Sequence, residues 1–283
     1  MNDEPDLTLA SPEVRKAFFR ESRTFTPYVA AELDGGIVFV KTRDNGVSRT
    51  VFLRGSRVDT KVLGRVIDRL RELDLRMPPD PVFVDLGANI GTTTVLALRR
   101  FGFATAVAVE PEPENFRLLR ANLVMNDLDE RVCALPFAAG ATEGELLLWV
   151  ARRKSGINRV VAEAETGRRT ITAEAVSVDG LVARGVIDPA RVGLFWVDVV
   201  GHEQEVLRGA TTLFAEAVPI VTAYRPDPEP GGPWPAPDVL EALASSYSEV
   251  MELRKLRAAF PIEQLGELVG SLRHPTDLLF LRR

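Results

Sequence analysis

Apolar side chains between residues 81 and 139 follow two alternating spacings. Short unbroken apolar runs are typical of buried strands, and apolar positions that recur every three or four residues are typical of helices. The strands predicted from these runs cover 82–84, 106–109 and 132–135, and the helices between them cover 92–101 and 114–125. Such an alternation of strands and helices favours a parallel sheet wound by right-handed crossovers.

The same alternation continues toward the C-terminal end with less regularity. Strands are predicted at 145–150, 170–178, 193–197, 219–222, 249–253 and 277–281, and helices at 202–216 and 238–246. An exposed loop or flap over a binding site is predicted for residues 151–169, which are rich in Gly, Arg and Glu. The Pro-rich segment 227–237 is predicted to be irregular.

The first 80 residues predict an addition to this α/β fold. Residues 35–40 and 50–53 have the composition of strands and flank Asn45-Gly46, which is the strongest short signal for a hairpin. A two-stranded flap is therefore predicted here. Apolar positions between 61 and 75 fit one face of a helix that leads into the main sheet.

The composition sets limits on organisation and partners. The 283 residues, 46% of them apolar, can form one large domain with an addition, so we expect an N-terminal flap and helix over 1–78 and an α/β domain over 79–283. The 35 basic and 40 acidic side chains are scattered in both signs and give a formal net charge of −5. This pattern indicates neither a nucleic acid nor a membrane as partner.

The composition also bears on location and redox chemistry. The chain begins with an acidic segment, and no apolar stretch approaches the roughly 18 residues of a membrane span, so a cytoplasmic protein is expected. Cys133 is the single cysteine and lies in an apolar run. A packed thiol in a buried strand is predicted there, rather than a nucleophile.

A turn with the sequence VDLGANIG at residues 84–91 connects the first predicted strand of the sheet to its helix. Its glycines let a ligand approach the backbone closely, as the crevice at the carboxyl ends of parallel strands requires. It lacks the G-x-G-x-x-G pattern of a pyrophosphate turn, and the carboxylate of Asp85 would repel phosphate and suit a cationic ligand. S-adenosylmethionine, which carries an ammonium and a sulfonium, is such a ligand.

The next predicted strand ends in Glu110, where a carboxylate can accept hydrogen bonds from both hydroxyls of a ribose. Taken alone, Asp85 is equally well explained as an exposed strand end, and Glu110 as an acid at a helix N-terminus. Their positions at two strand ends in a βαβ order favour a shared cofactor site.

These motifs and a third one, DVVGHE at 198–203, resemble those of FkbM-type methyltransferases. The matching segments are 84–91, Glu110-Pro111 with Asn115 and Asn122, 198–203, 206–210, and the more peripheral 43–52 and 276–280, so the resemblance runs from about residue 37 to the end. It implies the class I methyltransferase fold for residues 79–283: a Rossmann-like, doubly wound, mostly parallel seven-stranded sheet with an antiparallel final strand, here with an N-terminal β-hairpin and helix added. It also implies methyl transfer from S-adenosylmethionine to a hydroxyl of a small molecule such as a sugar, polyketide or other secondary metabolite.

The resemblance also implies roles for individual residues. It places Asp198 at the end of the fourth strand, between cofactor and acceptor. The cofactor-binding residues that it implies are Asp85, Gly87, Ala88, Asn89, Gly91, Glu110 and Pro111.

Methyl transfer to a hydroxyl needs alignment, exclusion of water and a place for the proton. Asp198 and His202 are the candidate catalytic residues because a carboxylate or a neutral imidazole can accept that proton. His202 lies at the start of a predicted helix, where the helix dipole disfavours the imidazolium. No metal site is predicted.

Two departures from the family leave an alternative open. FkbM-type proteins usually carry Glu or Gln where this chain has Val200, and usually Glu near the end of the fifth strand, where this chain has Ala223. The alternative is a catalytically impaired S-adenosylmethionine-binding protein with a sensor or partner role. A nicotinamide-dependent oxidoreductase would share Glu110 and the βαβ order, but it needs the pyrophosphate turn that is missing. The acceptor and the oligomeric state stay open.

Overall fold

The computed structural model describes residues 11–55, 58–75, 77–164, 166–226 and 234–283. The strands are β1 (Tyr28–Leu33), β2 (Gly36–Lys41), β3 (Val82–Leu86), β4 (Thr105–Val109), β5 (Val132–Leu135), β6 (Ala138–Ala139), β7 (Gly144–Trp149), β8 (Arg159–Val160), β9 (Thr170–Val176), β10 (Val192–Val197), β11 (Ile220–Tyr224), β12 (Glu249–Glu252), β13 (Ala259–Pro261) and β14 (Thr276–Leu281). The helices are α1 (Pro12–Ser22), α2 (Val47–Arg54), α3 (Val58–Glu72), α4 (Thr92–Arg100), α5 (Pro113–Met125), α6 (Val178–Ala183), α7 (Glu203–Arg208), α8 (Thr211–Ala215), α9 (Pro237–Ser246) and α10 (Leu265–Ser271).

The central sheet has the strand order β13-β12-β14-β11-β10-β3-β4-β5. The five strands from β11 to β5 run parallel to their neighbours, whereas β14 runs antiparallel to both β11 and β12. The predicted α/β class, the mostly parallel sheet and the antiparallel final strand are therefore confirmed. The short strand β13 pairs with β12 and adds an eighth strand at the edge.

Helices cover the two faces of this sheet, so its central strands are buried on both sides. Every residue of β3, β10, β11 and β14 is buried. Successive side chains of a strand point to opposite faces, and Phe83 belongs to one apolar cluster while its neighbour Val84 belongs to the other. Continuous apolar runs are the expected pattern for a sheet covered in this way.

The carboxyl ends of three strands meet at one edge of the sheet. β3 pairs with β4 on one side and β10 on the other, so that Asp85 lies opposite Ala108 and Trp196. These three strands therefore lie side by side in one sheet. The three strands end at Leu86, Val109 and Val197, and the residues that follow them line one cavity.

The N-terminal hairpin exists, but its predicted second strand was placed wrongly. The partner of β2 is the preceding strand β1, and residues 50–53 belong to the helix α2. The reason is that Asp44 caps this helix: its carboxylate accepts hydrogen bonds from the N–H groups of Gly46 and Ser48, at 2.9 Å each. Capping by a side chain turns Asn45-Gly46 into a helix start.

The N-terminal elements pack against the central sheet. Phe19 of α1, Val38 of β2 and Val62 of α3 belong to the same apolar cluster as Phe83 and Leu279 of the sheet. Phe19 and Leu279 are more than 200 residues apart in the sequence, and all five side chains belong to one continuous core. The division of the chain after residue 78 stays a prediction.

The predicted helix at 202–216 is broken into α7 and α8. The Asp179 carboxylate accepts hydrogen bonds from the N–H groups of Thr211 and Thr212, at 3.0 and 2.9 Å, and from both of their hydroxyls. These bonds satisfy the first N–H groups of α8 and fix a new helix start. The other predicted helices are observed with bounds shifted by a few residues. Across the described ranges, no helix is long and apolar enough to cross a bilayer.

A second, small sheet with the order β6-β9-β7-β8 lies in the chain between β5 and β10. Its strands β7 and β9 are those predicted at 145–150 and 170–178. The segment between them is more ordered than predicted, because it contains β8 and a 3-10 turn at Ser155–Ile157. Residues 151–160 are called the strap below. Of the segment 227–237, which is predicted to be irregular, residues 227–233 lie outside the described residues.

The predicted burial of Cys133 is wrong. Its side chain is exposed, because β5 is the outermost strand of the central sheet and pairs only with β4. An edge strand has fewer neighbours to cover its side chains than a central one. The apolar run does form the predicted strand, but its place in the sheet decides the exposure of the thiol.

Candidate active site

The turn between β3 and α4 contains residues in left-handed backbone conformations. Gly87 and Gly91 have φ angles of 85°, and Asn89 has one of 53°. A Cβ atom on Gly87 would lie 2.2 Å from the carbonyl oxygen of Asp198, so glycine is needed for this turn to pack against the end of β10. The Gly87 N–H donates to the Val109 carbonyl at 2.9 Å, which joins the turn to the end of β4.

Glu110 follows β4 and is almost fully buried. Its carboxylate accepts hydrogen bonds from the N–H groups of Asn89 and Glu112, at 2.9 and 3.0 Å, and from the amide nitrogen of Asn115 at 3.1 Å. Because a carboxylate has about four acceptor positions, it can accept one further bond from a ligand. Burial raises the pKa of Glu110 to about 7, although the three hydrogen bonds act in the opposite direction.

A cavity, called the first cavity below, lies between the turns at the carboxyl edge and the strap. Of the residues that the sequence predicts, those lining it are Gly87, Asn89, Glu110, Pro111, Asp198 and His202. Its apolar lining includes Val109, Ala138, Ala139, Leu148 and Val160, and its further polar side chains are Asn115, Ser155, Asn158 and Arg159.

Three predicted residues are not among those that line the first cavity. Asp85 is buried, and its carboxylate accepts a hydrogen bond from the Thr94 hydroxyl at 2.5 Å. Ala88 is buried within the turn. A Cβ atom on Gly91 would lie 2.7 Å from the side chain of Leu119. These three residues therefore shape the turn without lining the first cavity.

Asp198 lies directly after β10 and lines two cavities. Its N–H donates to the Leu86 carbonyl at 3.0 Å, which holds it beside the end of β3. The residues of the second cavity are Gly46, Val47, Thr50, Lys154, Gly156, Ile157, Asp198, Ala223, Tyr224, Arg225, Arg254, Pro275 and Thr276. Because Asp198 and Gly156 line both cavities, ligands in the two would meet beside these residues.

Sequence analysis missed Arg225, which follows β11. Its Nη2 lies 3.7 Å from Asp198 Oδ1, and its Nη1 lies 3.9 Å from Glu203 Oε1. The rule that identifies Asp198, a polar residue at the carboxyl end of a parallel strand, also identifies Arg225. Ser155 and Asn158 have no such signal, because they come from the strap rather than from a strand of the central sheet.

His202 is the residue that precedes α7. Burial lowers its pKa below the ordinary 6.5, and the Glu205 charge acts in the opposite direction, so the imidazole is neutral at pH 7. The turn that presents this ring contains Val200 with a φ of 40°, an uncommon conformation for a β-branched residue. Burial is thus the main reason why this imidazole is neutral.

Asp44 anchors the strap over the first cavity. Its carboxylate accepts hydrogen bonds from the Ser155 N–H at 3.1 Å and from the Ser155 hydroxyl at 2.9 Å. The Asn45 N–H donates to the Arg153 carbonyl at 2.7 Å. The Ser155 hydroxyl also lies 3.4 Å from the amide oxygen of Asn89. The N-terminal segment therefore holds the strap against the turn after β3.

The chemistry of the first cavity suits a nucleoside-containing ligand. A carboxylate on Glu110 can accept hydrogen bonds from hydroxyls, and the apolar lining can cover a base. Asp198 and the neutral His202 can each accept a proton. Among the residues that the structure describes, no three His, Cys, Asp or Glu side chains converge to hold a metal ion.

The chain matches a known protein family. The family described as Methyltransferase FkbM domain matches residues 85–258, which is more than half of the chain. The matched range contains the turns after β3, β4 and β10, together with the strap.

Individual relatives are distant. The chain is 32% identical to "Methyltransferase sdnD" from Sordaria araneosa, over 47% of this chain and 61% of the relative. It is 30% identical to "Hexuronic acid methyltransferase AglP" from Haloferax volcanii, over 51% of this chain and 56% of the relative. The chain therefore spans less than two thirds of the length of these curated relatives. A crystal structure of methyltransferase FkbM from Methylobacillus flagellatus KT is 16% identical, with a TM-score of 0.45 over 74% of this chain and 46% of that chain.

Proposed function

This chain belongs to the FkbM methyltransferase family, whose cofactor is S-adenosylmethionine, and from that premise we propose that it methylates a hydroxyl oxygen of a small-molecule acceptor. The observation that carries the proposal is the sharing of Asp198 by two cavities. The first cavity has the lining of a cofactor site, and the second opens beside the same carboxylate. Holding two reactants in contact is the main requirement of methyl transfer.

The residues of the first cavity fit the cofactor. Glu110 can accept one hydrogen bond from a ribose hydroxyl, and Leu148 and Val160 offer an apolar surface to the adenine. The cofactor supplies a methyl group that its sulfonium charge activates. The cofactor-binding residues that we propose are Gly87, Asn89, Glu110 and Pro111, which line the first cavity, together with Asp85, Ala88 and Gly91, which act indirectly by shaping the turn.

The acceptor hydroxyl loses its proton when its oxygen is methylated. Asp198 can orient this hydroxyl and accept the proton, because its carboxylate lines the second cavity. His202 is the other candidate, since its neutral ring lines the first cavity. The strap lines both cavities and can keep water away from the reacting atoms.

The acceptor class that we propose is a hydroxylated small molecule such as a sugar, polyketide or other secondary metabolite. AglP, by its name, methylates a hexuronic acid, and its similarity to this chain supports a sugar-like acceptor. The second cavity combines apolar side chains such as Val47 and Ile157 with polar ones such as Thr50 and Thr276. Such a mixed lining suits a partly hydroxylated molecule.

Cofactor binding without turnover is a second candidate function, which Val200 and Ala223 favour. Val200 lines the first cavity and Ala223 lines the second, and neither offers the polar group that FkbM-type proteins usually carry there. A protein of this kind would bind S-adenosylmethionine and act as a sensor or partner. Asp198 and His202 would then have no proton to accept.

Methyl transfer is expected from methyl-labelled S-adenosylmethionine to a small molecule in an extract of the cells that produce this protein. The label should be found by mass spectrometry and NMR as a methyl group on oxygen, because the proposed acceptor atom is a hydroxyl oxygen. Protein carrying Asp198→Asn serves as the control and should label the same product about 10² to 10⁴-fold more slowly. Cofactor binding by calorimetry without any labelled product would favour the sensor function, and label on nitrogen or carbon would contradict O-methylation.

Cofactor affinity is expected to rise with pH up to about 7 and to level off above it. The pKa of Glu110 is raised, so this carboxyl is partly protonated at neutral pH, whereas a ribose hydroxyl donates to its ionised form. Below pH 7, binding must expel the proton, which weakens affinity by up to about tenfold per pH unit. Calorimetry with S-adenosylhomocysteine between about pH 5 and pH 9 measures this slope.

The matched control for this pH dependence is Glu110→Gln, which keeps the shape of the side chain and removes its titration. The slope should disappear in this variant. Glu110→Ala should bind at least about tenfold more weakly above pH 7, because hydrogen bonds to a charged acceptor are lost. A slope that persists in Glu110→Gln would assign the titration to another group, such as the amine of the ligand.

A further inference from the structure

Positive charge gathers at the mouth of the active site, although the chain as a whole has a net charge of −5. The strap carries Arg152, Arg153 and Lys154 in succession. Together with Arg43 they line an outer cleft, which shares Ser155 and Asn158 with the first cavity. All four side chains are exposed. None of them forms an ion pair with another described residue. These four residues are called the cationic rim.

Lys154 connects the cationic rim to the site of chemistry, because it lines both the outer cleft and the second cavity. Its backbone position is fixed on both sides. The Arg153 carbonyl accepts the hydrogen bond from Asn45, and the Ser155 N–H donates to Asp44 at 3.1 Å. One cation of the rim is thus held at the wall of the cavity that contains Asp198.

Arg225 lies in the same cavity with unused donor capacity. Its Nη1 is buried and makes no hydrogen bond with any described residue. The carboxylates of Asp198 and Glu203 lie 3.7 and 3.9 Å from the guanidinium, which is too far for hydrogen bonds. A buried N–H group without an acceptor is unfavourable, and an oxygen of a ligand in the second cavity can satisfy it.

The neighbouring carboxylates determine how much positive charge the second cavity offers. Arg254 bonds to Asp277 with two of its nitrogens. Arg225 faces the two carboxylates of Asp198 and Glu203, which together carry one more unit of charge than the guanidinium does. Lys154 and the rest of the cationic rim therefore supply the excess positive charge, and Arg225 supplies the directed hydrogen-bond donor.

We propose that the acceptor carries an anionic oxygen group, a carboxylate or a phosphate, which is held between Lys154 and Arg225 in the second cavity. This proposal deepens the proposed function and rests on it. The bound anion fixes the acceptor so that its hydroxyl lies at Asp198, which is a contribution of orientation. The cationic rim attracts anionic molecules to the opening and raises their rate of encounter.

Calorimetry with three matched probes tests the proposal: galactose, galacturonate and galactose 6-phosphate, each titrated into protein saturated with S-adenosylhomocysteine. At least one anionic probe should bind about tenfold more tightly than galactose, as expected for one charge-assisted hydrogen bond. The stronger of the two anions identifies the group as a carboxylate or a phosphate. Raising the ionic strength should weaken the anionic probes and leave galactose unchanged.

Substitutions locate the site. Arg225→Met and Lys154→Met should each remove most of the preference for the anion, and Arg225→Lys should retain part of it. Arg120→Met is the matched control, because Arg120 is exposed on α5 and lines neither cavity. The binding of S-adenosylhomocysteine to every variant verifies that it is folded.

Three results would overturn the proposal: equal binding of the three probes, no binding of either anion at millimolar concentration, or an anion preference that survives in both Arg225→Met and Lys154→Met. These results are independent of methyl transfer. A labelled neutral acceptor whose methylation is unchanged in Arg225→Met would overturn the anion site and leave the proposed function standing. Anion binding without methyl transfer to any acceptor would overturn the proposed function and leave the anion site standing.

Discussion

Turnover of the Asp198→Asn variant should fall by about 10² to 10⁴-fold, because general-base assistance typically supplies that much. Asparagine keeps the size of the side chain and its backbone bond to Leu86, but it cannot take a proton. Cofactor affinity should stay within a few-fold, since the acid proposed for the ribose is Glu110. Single-turnover kinetics with labelled cofactor measures the first quantity, and calorimetry measures the second.

The matched comparison for Asp198 is His202→Ala, which should lower turnover by less. If His202 accepts the proton, turnover rises with pH through a value below 6.5, because burial lowers the pKa of this imidazole. That rise should be absent in His202→Ala and present in Asp198→Asn. Full turnover in both variants would show that alignment alone carries the reaction.

Gly87→Ala should lower the free energy of unfolding by about 3 kcal/mol or more. Two costs add at this position. The φ angle of 85° is unfavourable for any residue with a Cβ atom, and the new atom would lie 2.2 Å from the carbonyl oxygen of Asp198. Since a backbone atom cannot move aside alone, the end of β10 must shift with it. Denaturation in urea measures the loss.

Gly102→Ala is the matched control for Gly87→Ala. Gly102 has a φ of 82°, but a Cβ atom there would have no other atom within 4 Å. Its substitution isolates the backbone strain, about 1–2 kcal/mol. The difference between the two variants is the cost of the collision with Asp198. Equal losses would show that the turn and the end of β10 adjust freely, which would contradict the close packing described for the site.

The apolar runs along the chain determined the central sheet. A run such as that of β3 can be buried on both faces only when helices cover the sheet, and the spacing of the intervening segments provides those helices. The positions of Glu110 and Asp198 followed from the same pattern. Carboxyl ends of neighbouring parallel strands meet at one edge, so polar residues that follow such strands lie close together.

Contacts between distant residues decided what the sequence pattern missed. Asn45-Gly46 begins a helix rather than a hairpin because Asp44 caps it, and the same carboxylate also binds Ser155, 111 positions away. Asp179 breaks a helix at Thr211, 32 positions away. The local spacing of residues does not predict such a hydrogen bond, because the packing of other elements determines which residue becomes the partner.

The composition of the active site was decided in the same way. Arg225 reaches Asp198 only because β11 pairs with β10, and Lys154 reaches the second cavity only because the strap is fastened to the N-terminal segment. Cys133 is exposed because the strand order leaves β5 at the edge of the sheet. The sequence alone determined which segments form the parallel strands of the central sheet, since burial of apolar runs is a local requirement. The tertiary structure decided which side chains share a cavity, since that depends on the order in which the strands pair.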